Sequence, residues 1–149
     1  MAWRSLDDLV ANQLLEPRPR DSQLVSKWLA RSERDKDLAR DVLADVDRDR
    51  AMAVAYEAGF RACAGIVNLA GFRITSQPGH HRAAIEASAA VLGQGSRPLL
   101  RRLDAARRFR NETLYGDAPP AAKSELAGLI SDVSELLKMV ASRLEAAGQ

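Results

Sequence analysis

An arginine-rich segment holds the side chains with the clearest capacity for chemistry. Six arginines and a single acid, Asp104, lie between Arg97 and Arg110, so this segment carries a net charge of +5. Charge concentrated in this way favours the binding of phosphate groups. Asn111 and Tyr115 follow, and they add an amide and a hydroxyl that can donate hydrogen bonds to an anion. The alternative is a solvated helix face that carries arginine without any ligand.

Two of these arginines occupy positions where a helix would carry core residues. Leu100 and Leu103 begin an apolar stripe whose next positions are Arg107 and Arg110, before Leu114 resumes it. An unpaired charge in a core is prohibitively costly. Three arrangements avoid that cost. The helix end projects beyond the core, each arginine pairs with an acid, or the face lines a cleft or subunit interface that receives an anion.

Other chemically capable residues are few. A single cysteine, Cys63, excludes an internal disulfide and a cysteine-rich zinc site. The two histidines, His80 and His81, are adjacent, and adjacent helical residues do not share a face. We therefore expect no metal site, and no motif for a cofactor or for a serine hydrolase is present. One histidine can instead reach the cleft of Arg110 and move protons there. The alternative is a histidine held by polar groups at a helix start.

The elements that position these residues are predicted to be helices. Apolar residues recur at helical spacing and strand-like alternation is absent, which predicts an all-α, up-and-down bundle of five to six helices with short connections. The predicted helices cover about residues 6–15, a segment capped by Asp21 or Ser22, then 47–70, 80–92, 96–116 and 119–147. The third is apolar around most of its circumference, so we expect it at the centre.

The second helix is the least regular of the set. Its core positions are predicted to be Leu24, Trp28, Leu38 and Val42, which fit a helical period. The charged middle of this helix, residues 31–36, is a candidate for a bend or a frayed turn.

Composition is that of a globular chain. Of 149 residues, 46% are apolar and 28% charged, which excludes collagen-like and disordered classes. The length predicts a single domain over residues 1–149, in which residues 1–20 form a short helix and a proline-rich connection. An acidic start at residues 1–8 is unlike a signal peptide, and the lone cysteine fits a reducing compartment. We therefore expect a cytoplasmic protein without a membrane segment.

The arginine segment resembles the signature of the HEPN superfamily (higher eukaryotes and prokaryotes nucleotide-binding domains). The family motif has an arginine, often followed by asparagine, at the end of the helix before the final long one. Arg110 and Asn111 match it in identity and placement, and residues 28–29, the third helix and residues 79–81 extend the resemblance over most of the chain. The resemblance implies a small all-α homodimer whose two motifs face each other across a cleft. Many members are metal-independent endoribonucleases, including toxins of toxin–antitoxin pairs.

The resemblance also implies roles for individual residues. Arg110 would bind and stabilise the scissile phosphate, Asn111 would orient it, and Arg107 and Arg108 would extend the positive surface. The family histidine stands a short spacer after the arginine, where this chain has Tyr115. A tyrosine with its ordinary pKa of about 10 is a poor base at neutral pH. In some family systems a tyrosine near the motif is modified by a nucleotidyltransferase partner, which implies an antitoxin protein as a candidate partner.

Two other functions fit the same residues. The first is a catalytically inactive HEPN-like adaptor whose arginine face docks an acidic protein. The second is a structural bundle in which Arg110 pairs with an acid such as Glu112 or Asp104. Binding that weakens steeply with salt favours phosphate as the ligand, whereas a stoichiometric partner with a more apolar contact favours the adaptor. A structural Arg110 predicts that Arg110→Ala destabilises the fold.

Overall fold

The structure is a computed structural model that describes residues 2–115 and 119–148, without the side chains of residues 112–115. Within these ranges the chain is an all-α helical bundle, which confirms the predicted fold class. The six longer helices are α1 (Leu6–Ala11), α2 (Ser22–Leu38), α3 (Arg48–Leu69), α4 (His80–Leu92), α5 (Arg97–Tyr115) and α6 (Lys123–Ala147). None of the helices in the described ranges is long and apolar enough to cross a membrane.

The central element is α3, as its apolar circumference predicts. It packs against α2, α4, α5 and α6, and its buried residues lie on several sides, among them Ala58, Ile66 and Val67. Its first turn is capped by Asp47, whose side chain accepts a hydrogen bond from the backbone N–H of Arg50 at 3.1 Å. Because α3 touches four other helices, its side chains are positioned by all of them.

The last two long helices supply most of the large apolar side chains around α3. On α6 the predicted stripe is buried at its first five positions and half-buried at the last: Leu126, Leu129, Val133, Leu136, Val140 and Leu144. On α5, Leu100 and Leu103 are fully buried, so the predicted stripe of α5 is confirmed up to that point. Beyond it, the same face of α5 carries Arg107 and Arg110 towards the end of the bundle.

A small antiparallel sheet contradicts the expectation that the chain has no strands. Strand β1 (Leu15–Pro17) pairs with β2 (Phe72–Ile74) in the register Leu15↔Ile74. The prediction that α1 continues to residue 15 is also wrong, since α1 ends at Ala11. Strands of three residues are too short for alternation to show, and their pairing depends on the turn at Gly71, whose φ of +94° suits a residue without a Cβ. The sheet ties the N-terminal segment to the end of α3.

The charged middle of α2 is regular helix, and the irregularity lies after it. A π-helical turn covers Ala39–Leu43 and a short helical turn covers Ala44–Val46. Leu38 and Val42 are 42% and 52% exposed, so their prediction as core positions is wrong. The buried face of α2 runs instead through Val25 and Ser32 and continues to Ala39. Because Ser32, in the middle of that face, is polar, the face does not form an apolar stripe in the sequence.

Candidate phosphate-binding and proton-transfer site

The first turn of α4 brings a histidine against the central helix. Gly79, at a φ of +85°, turns the chain into α4 immediately before the two histidines. His81 Nδ1 lies 2.8 Å from the hydroxyl oxygen of Tyr56 on α3. The His81 ring also stacks on Phe60, with ring centroids 4.1 Å apart and the planes 24° from parallel. Two side chains one helical turn apart on α3 therefore fix both the position and the plane of His81.

His80 has a different role from His81. Its Nδ1 donates a hydrogen bond to the backbone carbonyl of Gln77 at 3.0 Å, as the helix-start alternative predicts. Its ring nevertheless lies 4.6 Å from that of His81 and edge-on to Phe60, although adjacent residues inside a helix do not share a face. His80 is the first residue of α4 and is not held to the geometry of the helix interior. In the described part of the chain, no group of three or more side chains is arranged to hold a metal ion.

Arg110, on α5, lies beside Tyr56 as well. Its guanidinium carbon lies 5.9 Å from the centre of the Tyr56 ring, within the range of a cation–π contact. One terminal nitrogen lies 2.9 Å from Glu57 Oε1, with 29% of the arginine side chain and 37% of the glutamate side chain exposed. The structure thus has the second of the three arrangements, an arginine paired with an acid, but the acid is Glu57 on α3.

Arg110 also borders a pocket of mixed charge. The cavity has a volume of about 360 Å³, and its wall includes two acids, Asp47 and Asp49, and two arginines, Arg50 and Arg110. The carboxylates and the guanidinium groups offset one another, so this cavity has no excess of positive charge that would favour an anion.

The other two predicted phosphate-binding arginines share one buried carboxylate. Asp104 is 3% exposed. It accepts hydrogen bonds from Arg107 Nε at 2.8 Å and from Arg82 Nη1 at 3.1 Å. A nitrogen of Arg108 lies 3.6 Å from it, with 63% of that side chain exposed. The charge of this segment is therefore partly neutralised within the fold, and Arg108 remains the most accessible of the three.

The surroundings of His81 keep its ring neutral. Burial is the main cause that lowers the pKa of His81 to about 4, and the nearby charges of His80, Arg110 and Arg107 lower it further. Burial also raises the pKa of Tyr56, so its hydroxyl stays protonated at neutral pH. At neutral pH the pair therefore consists of a neutral imidazole and a neutral phenol. The low pKa keeps the imidazole unprotonated, and it also makes His81 a weaker base than an ordinary histidine. Cys63 is buried elsewhere on α3, and burial raises the pKa of its thiol to about 11.

The lowered pKa of His81 gives a testable pH dependence. An NMR titration of the imidazole protons is expected to show His81 titrating near pH 4, far below the ordinary value of 6.5. Since the unfolded chain binds this proton more tightly, the contribution to stability is complete above about pH 6.5 and declines as the pH falls towards 4. In Arg110→Ala the pKa of His81 should rise, because one positive charge is removed. A His81 pKa of 6 or above in the folded wild-type protein would contradict this arrangement.

The structure brings together some of the predicted site residues and adds others. Arg110 and His81 meet at Tyr56, while Asn111 is exposed on α5 and the side chain of Tyr115 lies outside the described residues. Tyr56 was predicted only as part of the apolar face of α3. Its hydroxyl was the available signal, because a buried tyrosine hydroxyl normally requires a hydrogen-bond partner. Glu57 had no signal in the sequence, since its partner lies on another helix.

Comparison with known proteins gave no match to a family model, to a curated protein or to a solved structure.

Proposed function

We propose that this chain is a HEPN-like, metal-independent endoribonuclease that acts as a cytoplasmic homodimer. The observation that carries the proposal is the placement of His81. It contacts the hydroxyl of Tyr56 at 2.8 Å, and the guanidinium of Arg110 lies 5.9 Å from the ring of the same tyrosine. A neutral histidine near an arginine combines a proton acceptor with a cation for phosphate, two groups that can serve RNA cleavage through the ribose 2′-hydroxyl. In this proposal His81 supplies the proton acceptor that the family histidine would provide and that Tyr115 does not.

The proposed reaction assigns one task to each group. Arg110 exchanges Glu57 for the scissile phosphate and stabilises its additional negative charge in the transition state. His81 accepts the 2′-hydroxyl proton at Nε2 while its Nδ1–H is donated to the hydroxyl oxygen of Tyr56. The 2′-oxygen forms a bond to phosphorus and the bond to the 5′-oxygen breaks. The products are a 2′,3′-cyclic phosphate and a 5′-hydroxyl. Water protonates the departing 5′-oxygen, and the hydroxide that remains takes the proton from His81.

The remaining predicted residues have supporting tasks in this proposal. Arg107 and Arg108 bind flanking phosphates, and Arg108 is the more accessible of the two. Asn111, adjacent to Arg110 on α5, orients the phosphate at the dimer cleft, where Tyr115 also contributes. If the enzyme is a toxin, an antitoxin protein is its partner, with Tyr115 as the residue that such a partner modifies.

A second candidate function is the inactive adaptor that binds an acidic protein. It is favoured by the ion pairs that the arginines of α5 already form, with Glu57, with Asp104 and, for Arg102, with Asp132. An acidic surface of a partner could replace these carboxylates without any chemistry. Cleavage assays separate the two functions.

The test is cleavage of a mixed RNA substrate by the purified protein in EDTA. We expect wild-type protein to cleave and Arg110→Ala to be slower by about 10²–10³-fold, the usual loss for one donor to a developing oxyanion. The Arg110–Glu57 pair is partly exposed, so its removal should change the free energy of unfolding by no more than about 1 kcal/mol. Arg101→Ala, an exposed arginine of the same helix, is the matched control and should cleave normally. Absence of cleavage by wild-type protein would reject the ribonuclease and favour the adaptor.

Glu57 is expected to compete with RNA for Arg110. Glu57→Gln removes the competing charge and should tighten the binding of a non-cleavable 2′-O-methyl RNA by about 2–5-fold, as expected for a partly exposed ion pair. Fluorescence anisotropy of a labelled oligonucleotide measures this change. Glu135→Gln, an exposed acid on α6 paired with Lys138, provides the control. Unchanged or weaker binding by Glu57→Gln would mean that Arg110 does not contact phosphate.

A further inference from the structure

A second cleft lies next to the candidate site. Phe60 and His80 line this cleft, and both also contact the ring of His81. Its volume is about 450 Å³, which lies within the range of small-ligand pockets. It is formed where α2, α3, β2 and the start of α4 meet. Its lining includes Arg18, Trp28, Phe60, Asn68, Phe72 and His80.

The lining combines aromatic surface with positive charge. Three aromatic side chains, Trp28, Phe60 and Phe72, contribute to the cleft, and none of its described lining residues is acidic. Of its two arginines, Arg73 is paired with Glu16 across the sheet. Arg18 is exposed and makes no ion pair within the described part of the chain. Aromatic surface binds the faces of nucleobases largely irrespective of sequence, and arginine complements the attached phosphate.

A buried amide adds a hydrogen-bond donor to this cleft. Asn68 is only 6% exposed. Its Oδ1 accepts the backbone N–H of Asp21 at 2.8 Å, which fixes the orientation of the amide. The Nδ2 group donates no hydrogen bond to another described residue. Since the Nδ2 atom is accessible to water, a ligand that presents a carbonyl oxygen or a ring nitrogen would replace a water molecule there, and nucleobases present both.

The cleft and the candidate site are continuous through two side chains. Phe60 lines the cleft and stacks on His81. His80 also lines the cleft, and its ring contacts the rings of Phe60 and His81. We infer that this cleft binds a nucleobase of the RNA, on the nucleotide next to the phosphate held by Arg110, with Trp28 and Phe60 against its faces and Asn68 donating to its edge. The inference rests on the proposed function for RNA as the ligand, and the binding itself is testable without cleavage.

The experiment uses the intrinsic fluorescence of Trp28. In a Trp3→Phe background Trp28 is the sole tryptophan of the chain. Titration with each of the four ribonucleoside 5′-monophosphates should quench its emission saturably for at least one of them, whereas ribose 5-phosphate, which lacks the base, should not. Ala64→Leu fills the cleft from α3 and should weaken that binding by about tenfold or more, comparable to the loss of one stacking contact. Ala64→Ser is the matched control and should bind as the parent protein does.

The outcomes separate this inference from the proposed function. Saturable quenching that depends on the base, persists in Arg110→Ala and is lost in folded Ala64→Leu supports the base site, whether or not RNA is cleaved. The absence of saturable quenching, equal quenching by ribose 5-phosphate, or unchanged binding by Ala64→Leu each overturns it, even if cleavage is observed. Thermal unfolding of Ala64→Leu, monitored by circular dichroism, establishes that the variant is folded.

Discussion

His81→Ala is expected to slow RNA cleavage by about 10²–10⁴-fold, the usual contribution of a positioned general acid or base. The reason is geometric as well as chemical. The ring is held by the Tyr56 hydroxyl at 2.8 Å and by the face of Phe60 at 4.1 Å, so its proton-accepting nitrogen has a fixed direction. Single-turnover rates measured in EDTA, with the protein in excess over RNA and saturating, separate the chemical step from product release. The affinity for a 2′-O-methyl RNA should change little, because the neutral imidazole carries no charge towards phosphate.

Two neighbouring variants make this prediction specific. Tyr56→Phe keeps the ring beneath Arg110 but removes the hydroxyl that accepts the Nδ1 proton of His81 in the proposed tautomer, so we expect a smaller loss than in His81→Ala. His80→Ala should cost less than His81→Ala, since His80 packs beside the His81 ring and lines the neighbouring cleft, but its Nδ1 donates to the carbonyl of Gln77. Equal losses in His80→Ala and His81→Ala would indicate that both substitutions disturb the start of α4 and that neither removes a specific proton acceptor. A fully active His81→Ala would exclude the proposed mechanism.

Glu86→Ala is expected to lower the free energy of unfolding by about 3 kcal/mol, within the range for breaking a buried ion pair. Glu86 on α4 is 2% exposed. It accepts the backbone N–H of Arg4 at 2.6 Å and both Nε and Nη2 of the same arginine. Arg82 also approaches it, at 3.5 Å. Removing the carboxylate therefore leaves the N-terminal segment without its main polar contact with α4.

Urea denaturation measures this effect. Arg4 is 37% exposed and can regain water, which places the expected loss at the lower end of the range. Glu135→Ala removes an exposed acid paired with Lys138, so it should change stability by less than about 1 kcal/mol. A loss below about 1 kcal/mol in Glu86→Ala would show that the contacts of Arg4 are replaced by water at little cost.

The sequence predicted those elements whose signals are local. The bounds of α4 at His80 and Leu92 were predicted as observed, because a glycine stands on each side of them. The stripe of α6 was also predicted, because apolar side chains recur there at helical spacing over many turns. The sheet was not predicted, since β1 and β2 are short and far apart in the chain. Their pairing depends on the packing of α1 and α3, which no local pattern records.

The candidate site was also predicted only in part. Arg110 and His81 were predicted as site residues from their types, since charge at a core position and a rare histidine are visible in any sequence. The partners that give them their properties were not, because Glu57 and Tyr56 act across helices. The lowered pKa of His81 likewise depends on burial and on charges from α5. Residue types could be listed from the sequence, but their pairing required the packing of α3, α4 and α5.

The ion pair between Arg110 and Glu57 has a consequence for the thermodynamics of RNA association. When a cationic side chain binds a phosphate, counterions released from the nucleic acid make the affinity fall with the logarithm of salt concentration. In the proposed mode of binding, the phosphate also displaces the carboxylate of Glu57 from Arg110, and this carboxylate then attracts cations from solution. This uptake opposes the release, so the slope of affinity against salt should understate the number of phosphates that the protein contacts. The slope should become steeper in Glu57→Gln, where no carboxylate is displaced.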